Sequence, residues 1–242
     1  MGTTYLDLTN KVLRKLNEIE LTSVTFASAT GFQALCKDLV QEAIDDINQA
    51  EFQWPFNHGE VTETLVADQA TYALPSDVKI VDWSSFFLEE DTSLSVNAST
   101  LPIVEYYEWH NKIRSGEDTN AGTIRIPQLV YRTQDEKYGL TPIPDRAYSV
   151  KYEYWKNPTP LDLYSDTTLI PSQFDRVIVS YAMIGAYDFR ENFEMAGKER
   201  TRYQKALKHM KKLLINRNFE YAYDGRIGKI SGRANGKSMI NG

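Results

Sequence analysis

Three histidines, one cysteine and a few carboxylate pairs are the residues of this 242-residue chain whose types could do chemistry. His58, His110 and His209 are far apart, and none stands at a two-histidine metal spacing. A single cysteine does not complete a zinc site either, so no metal is expected. Cys36 falls within an expected helix with no histidine or basic group nearby to lower its pKa. It reads as a buried structural thiol and not as a nucleophile. No Gly-x-Ser-x-Gly elbow occurs. The pairs Glu89-Glu90 and Asp45-Asp46 are adjacent or lie on an exposed helix face, whereas carboxylate catalysis needs two groups facing each other in different environments. Gly232, Gly236, Lys237 and Ser238 approach a phosphate-binding loop. Three residues separate the glycines where the loop needs four, and it also needs a strand before it and a helix after it. The chain is therefore expected to be no enzyme and to carry no cofactor.

The strongest signal is a split in charge. Residues 198–242 hold twelve Lys/Arg against three Asp/Glu, about +9, so residues 1–197 hold about −15 of the net −6. Such asymmetry points to a tail or arm that meets an acidic partner. The stretch 218–242 is also poor in aliphatic residues and rich in Gly, Lys and Arg, as an arm leaving a domain would be. Its glycines keep it flexible or let it lie flat against a partner.

The remaining composition is that of a soluble protein, 42% apolar and 25% charged. The length allows one large domain or two small ones, with roughly 70–75% of the unfolded surface buried. Fifteen tyrosines and four tryptophans stand out. They suit either interfaces, where one end packs while the other bonds, or β-strands. One cysteine permits no internal disulfide. The first five residues show no basic start followed by an apolar run, and no window reaches ~18 apolar residues, so neither a signal peptide nor a membrane span is expected.

The elements follow from periodicity. Thr4 is a plausible N-cap with Asp7 in capping-box range, and Leu8, Val12, Leu13, Leu16 and Ile19 recur at helical spacing. Residues 22–31 break the pattern. A second helix then places Leu35, Leu39, Ala43 and Ile47 on one face, with Cys36, Val40 and Ile44 beside it. Asp38, Glu42, Asp45 and Asp46 lie on the other face. The step into Pro55 ends the helical region. Residues 61–66 alternate, 68–69 turn and 71–74 extend, which reads as hairpin-like. Residues 79–88 read as a strand, and Pro102 can open a short helix through Ile113. Strands at 128–132, 138–141 and 148–155 follow, with a Pro-rich turn at 142–145. Two helices close the body, one from Pro171 to about Arg190 and one over about 193–216. The latter is strongly basic, with Met195, Tyr203, Leu207, Met210 and Leu214 as its apolar stripe.

The expected fold is therefore α+β: a helical bundle from both chain ends, an inserted antiparallel β domain and an extended C-terminal arm. The divisions are an N-terminal helix pair at 1–56, an inserted β-rich domain with one short helix at 57–168, a C-terminal helix pair at 169–217 and the arm at 218–242. The basic last helix could also bind nucleic acid through phosphate neutralisation, which is the alternative function. No helix-turn-helix, zinc-finger or aromatic RNA motif accompanies it. An acidic body repels DNA over most of its surface.

A run of short features resembles the head-to-tail adaptors of short-tailed bacteriophages, called tail tubular protein A or gatekeeper-type connectors. It comprises Val12-Leu13-Arg14-Lys15-Leu16, the second helix leading into Phe52-Gln53-Trp54-Pro55-Phe56, and Tyr72-Ala73-Leu74-Pro75-Ser76-Asp77. Leu140-Thr141-Pro142-Ile143-Pro144-Asp145 and Tyr152-Glu153-Tyr154-Trp155 continue it. The helix pair headed by Ile170-Pro171, with Tyr203 in its second member, completes it over about 210 residues.

The resemblance implies a structural virion protein at the tail or neck, assembled in the host cytoplasm and without membrane contact. In that family the copies form a homo-oligomeric ring, on the order of twelve, through a heterologous interface that closes. Helices of neighbouring subunits pack side by side, the C-terminal arm grips the portal protein, the tail nozzle protein docks on the other face, and genomic DNA passes through the channel. The arm residues expected to bind the portal are Tyr221, Tyr223, Arg226, Lys229, Arg233 and Lys237. Asp38, Glu42, Asp45, Asp46, Lys205, Lys208 and Lys212 are the candidates for inter-subunit or channel-facing positions.

Overall fold

The computed structural model describes residues 2–92, 96–114 and 125–215. Along the chain run β1 (Gly2–Thr4), α1 (Tyr5–Lys15), α2 (Gly31–Gln49), β2 (His58–Thr64), β3 (Thr71–Ala73), β4 (Val78–Leu88), β5 (Ser99–Thr100) and β6 (Ile103–Val104). Next come a short helical segment (Tyr106–Glu108) continued by a π-helical turn (Trp109–Ile113), then β7 (Leu129–Arg132), β8 (Lys137–Thr141), β9 (Ser149–Lys156) and β10 (Thr167–Pro171). Helices α3 (Asp175–Phe189) and α4 (Phe193–Leu214) follow. The fold is α+β, with helices contributed by both chain ends and the sheets between them. It divides into two compact units, Met1–Gln49 with Leu161–Gly242, and Ala50–Pro160. The arm expected over 218–242 lies outside the described residues.

In the helical unit, Thr4 caps α1 as the sequence suggests. Its hydroxyl oxygen accepts from the Asp7 N–H (3.1 Å), and the same hydroxyl donates to the Asp7 carboxylate (2.7 Å). Leu8, Val12 and Leu13 are buried. The helix stops at Lys15, and Asn17, at φ 56°, turns the chain away. Ile19, expected on the buried stripe, therefore lies beyond the helix and is 81% exposed. Asn10 pins the returning loop through both of its side-chain groups, accepting from the Leu21 N–H (2.8 Å) and donating to the Leu21 carbonyl (2.9 Å). Helix α2 buries Cys36, Leu39, Val40, Ala43, Ile44 and Ile47, the face its periodicity marks. It approaches α3 closely at Gly185, where an added Cβ would lie 2.3 Å from Leu39 Cδ2.

Residues far apart in sequence close this unit. Strand β1 pairs antiparallel with β10, a two-stranded sheet that neither segment's short pattern announces. Asp175, in the first turn of α3, accepts on Oδ2 from the Thr3 hydroxyl (2.6 Å) and the Lys11 ammonium (2.5 Å). Arg190, just past α3, pairs with Glu18 beyond α1 and stacks on the Phe32 ring at 4.3 Å.

The β unit has two four-stranded sheets, ordered β2-β9-β4-β5 and β3-β8-β7-β6. All pairings are antiparallel except β6 with β7. Side chains from both sheets share one core, in which Phe86 stacks on Tyr152 (4.6 Å between centroids) and Tyr72 on Tyr138 (5.3 Å). The tyrosine surplus therefore serves strands here, since Tyr72, Tyr131, Tyr138, Tyr148, Tyr152 and Tyr154 are all buried. Three of their hydroxyls tie down the edges of the unit, while that of Tyr152 is buried without a partner among the described residues. Tyr138 donates to Glu63 (2.6 Å), Tyr72 to the Val66 carbonyl (3.0 Å) and Tyr148 to Asp145.

Two local expectations are corrected. Residues 61–66 and 71–74 alternate on either side of a turn but do not form a hairpin: β2 pairs with β9 and β3 with β8, in different sheets. Pro102 does not open a helix. Ile103 and Val104 after it join β7 as a parallel strand, and the helical segment begins only at Tyr106.

Asp175→Ala removes the shared acceptor of Thr3 and Lys11 and should lower stability by about 2–3 kcal/mol, because hydrogen bonds to a charged group are worth more than neutral ones. Lys11→Met, which removes only a half-exposed cation, should cost under about 1 kcal/mol. Urea unfolding midpoints of the two variants check the order.

Candidate functional site

With about 100° between successive residues of a helix, Asp38, Glu42, Asp45 and Asp46 share one side of α2, turned away from its buried face. The structure divides them. Asp46 accepts from the Tyr203 hydroxyl of α4, and Glu42 accepts from the Tyr181 hydroxyl of α3 (3.3 Å). The two rings meet edge to face at 5.2 Å. These two carboxylates thus work inside the helical unit, as anchors of α2 on α3 and α4.

Asp38 and Asp45 face solvent, around a hollow that also includes Tyr5, Gln41 and Asp162. Lys37 borders this hollow, but its ammonium is turned inward onto the Phe26 carbonyl (3.0 Å) and ring (4.3 Å). The hollow is therefore anionic. Burial, followed by the fields of Asp38, Asp162 and Asp45, pushes the Tyr5 hydroxyl up to about 12. Burial also raises Asp45, against the opposing hydrogen bond from Gln41 (3.1 Å).

The loop that supplies Asp162 is built on one carboxylate. Asp166 accepts from the N–H groups of Asp162 (2.9 Å) and Leu163 (2.8 Å), and these bonds hold its pKa below the ordinary carboxylate range. The backbone is fastened on both sides as well. Tyr5 and Leu6 donate to the carbonyls of Asp166 (2.8 Å) and Tyr164 (3.2 Å), and Leu161 donates to Gln41 Oε1 (3.0 Å). Held this way, the loop exposes Leu163 (60%) and Tyr164 (44%). Sequence reasoning missed both. An Asp placed three and four residues after the donating positions is the signal that was available.

Lys205, Lys208 and Lys212 form one stripe on α4, all exposed and none in an ion pair among the described residues. The buried stripe of α4 is Ala196, Glu199, Tyr203 and Met210. Met195, Leu207 and Leu214, expected to be buried, are half-buried at its flanks. Glu199 was not anticipated: it is 3% exposed and accepts from Arg202. Its place four residues before Tyr203 marks it as part of the stripe. Between α3 and α4 runs a groove of about 480 Å³ floored by Phe174, Val177 and Ala206 and edged by Arg176, Lys205 and His209.

The arm candidates Tyr221, Tyr223, Arg226, Lys229, Arg233 and Lys237 lie outside the described residues. The histidines are not brought together. His58 bonds Glu153 (3.0 Å) in the β unit, His110 sits beside Asn111 (3.2 Å), and His209 edges the helical groove. Among the described residues no group of three or more His, Cys, Asp or Glu could hold a metal ion. Burial pushes the Cys36 thiol up to about 11, which leaves it protonated at neutral pH and without thiolate reactivity. Among the described residues no helix is long and apolar enough to cross a membrane.

Two comparisons bear on this arrangement. A family model described as SU10 adaptor protein matches residues 3–226, nearly the whole chain. No curated protein matches it.

The tyrosines of the helical unit predict its behaviour in alkali. Burial, then neighbouring carboxylates, pushes Tyr5 and Tyr181 up to about 12 from an ordinary value of 10.0. A group whose folded pKa is raised contributes stability that is complete below its unfolded pKa and is lost as pH rises through the folded value. Helical circular dichroism should therefore hold to about pH 10 and fall between about pH 10 and 12, together with the rise of tyrosinate absorbance. Tyr181→Phe should shift that loss to higher pH.

Proposed function

The chain belongs to the SU10 adaptor protein family, and from that premise we propose that this phage adaptor joins head to tail in a virion of the short-tailed type. Copies close into a ring of on the order of twelve beneath the portal protein. The ring receives the tail nozzle protein on its other face and encloses a channel for the genome. The protein is structural and catalyses nothing. The observation that carries this reading is the family match over residues 3–226, which covers both the helical and the β unit.

The charge distribution supports the finer parts. A body with about −15 over residues 1–197 leaves DNA mobile where it lines a channel, because like charge disfavours sticking. The arm at 218–242 reaches the portal, with Arg226, Lys229, Arg233 and Lys237 giving electrostatic steering and Tyr221 and Tyr223 anchoring.

Negative-stain imaging of the full chain mixed with the portal protein of the same virus tests the reading, with rings on the portal as the expected result. Absence of rings both alone and on the portal would refute it. Steep, salt-dependent retention of DNA by the isolated protein would favour a nucleic-acid-binding role instead. Deleting 218–242 should leave the thermal unfolding midpoint of the body within a few degrees of the parent, about the span that 1 kcal/mol moves in a domain of this size. The same deletion should abolish co-sedimentation with the portal. Collapse of the midpoint would make the arm part of the core.

A further inference from the structure

Each copy of a closed ring must carry two different surfaces that fit one another, because a head-to-tail contact joins one patch to another and not to itself. The helical unit presents two surfaces of complementary character. The first is the loop 161–166 with the outer side of α2, where Asp162 shares a hollow with Asp38 and Asp45 and the next two residues of the loop, Leu163 and Tyr164, are exposed. The second is the groove between α3 and α4, with an apolar floor of Phe174, Val177 and Ala206, a cationic rim of Arg176 and Lys205, and His209 at its edge.

We propose that the loop 161–166 and the acidic side of α2 of one copy seat in the α3–α4 groove of the next. This inference rests on the ring reading above and names the surfaces that make the ring.

Three observations carry it. The knob is preorganised, since Asp166 and the fastened backbone hold Leu163 and Tyr164 outward, so docking costs little ordering. Leu163 and Tyr164 are adjacent and both exposed, so together they offer a neighbour one apolar contact. The charges match. The ammonium of Lys37 is turned inward, which leaves the knob side negative, while Arg176 and Lys205 make no ion pair among the described residues.

The geometry also suits a head-to-tail contact. Strand β10, five residues of extended chain and so about 15 Å long, separates the loop from the start of the groove. On α4, successive residues lie about 100° apart. This places Arg202, Lys205, Ala206 and His209 on the opposite flank of the buried stripe from the flank shared by Arg200, Tyr203 and Gln204, which meets α2. The groove thus opens away from α2 and its acidic face. One copy cannot fill its own groove with its own knob, but a neighbour can. The groove's cations could meet DNA phosphates, but its apolar floor suits Leu163 and Tyr164, which DNA would leave uncovered.

Full-length variants test this. Leu163→Asp with Tyr164→Ser disables the knob, and Arg176→Glu with Lys205→Glu disables the groove. All four positions are at least partly exposed, so circular dichroism and melting should stay near the parent. Each pair alone should weaken self-association at least tenfold by sedimentation velocity and prevent ring closure on the portal. Mixed in equal amounts, the two variants should form a species of two copies and nothing larger, because only one productive contact remains between them. Asp38→Lys with Asp45→Lys should disrupt rings, and combining it with Arg176→Glu and Lys205→Glu should restore them. Rings that persist in both one-sided variants, or a groove variant that keeps its rings and loses only DNA retention, overturn this interface and leave the adaptor reading standing. If the unaltered chain forms no rings with or without portal, both readings fall.

Discussion

The bonds to Asp175 set the constraint on which the helical unit depends. Thr3 and Lys11 lie 172 and 164 residues away along the chain, yet both donate to one carboxylate oxygen at the head of α3. Strands β1 and β10 extend the same closure through backbone bonds. It brings α3 onto α1 and α2, which also pack on each other and whose apolar faces hold Leu8, Leu13, Val40 and Ile47. The entropic cost of joining such distant segments grows only slowly with the length between them, by about 0.6 kcal/mol for each doubling. A whole β unit can therefore occupy the connection without undoing the helical one.

The two units handle polar groups differently. In the β unit the buried tyrosines pack with their rings and reach turns or strand edges with their hydroxyls, as Tyr138 does at Glu63 and Tyr72 at Val66 and Gln69. In the helical unit the corresponding device is a tyrosine that holds a carboxylate of another helix, as Tyr203 holds Asp46 and Tyr181 holds Glu42. Each of these bonds satisfies a polar atom that burial would otherwise penalise. In the helical unit Asp38, Glu42 and Asp45 all remain exposed, while Asp46 is half-buried under its bond from Tyr203.

Most helices were legible in the sequence because their signal is local. The spacing of Leu39, Ala43 and Ile47 marks α2, and the Thr4 cap marks the start of α1. The stop of α1 at Asn17 was less visible, because Ile19 keeps the helical rhythm after the backbone has left it. Strands were legible as segments and illegible as pairs. Alternation in residues 61–66 and 71–74 reports a half-buried face but not that β9 and β8 are the partners, a choice made by contacts more than 60 residues away. Of the candidate surface, the charges were readable. The exposure of Leu163 and Tyr164 was not, because Asp166 and the N–H groups of Tyr5 and Leu6 impose it.

The closure at Asp175 also sets an order of events during synthesis. A ribosome adds roughly 5–20 residues per second. Strand β9 is finished by Lys156, so the β unit can fold while α3 is still unmade. Helices α1 and α2 leave the ribosome before Asp175 and α3, and the stretch from the end of α2 to Asp175 takes roughly 6–25 seconds at that rate. Through that interval the parts of α1 and α2 that α3 later covers stay uncovered, which makes this segment of the growing chain the one most in need of protection from aggregation.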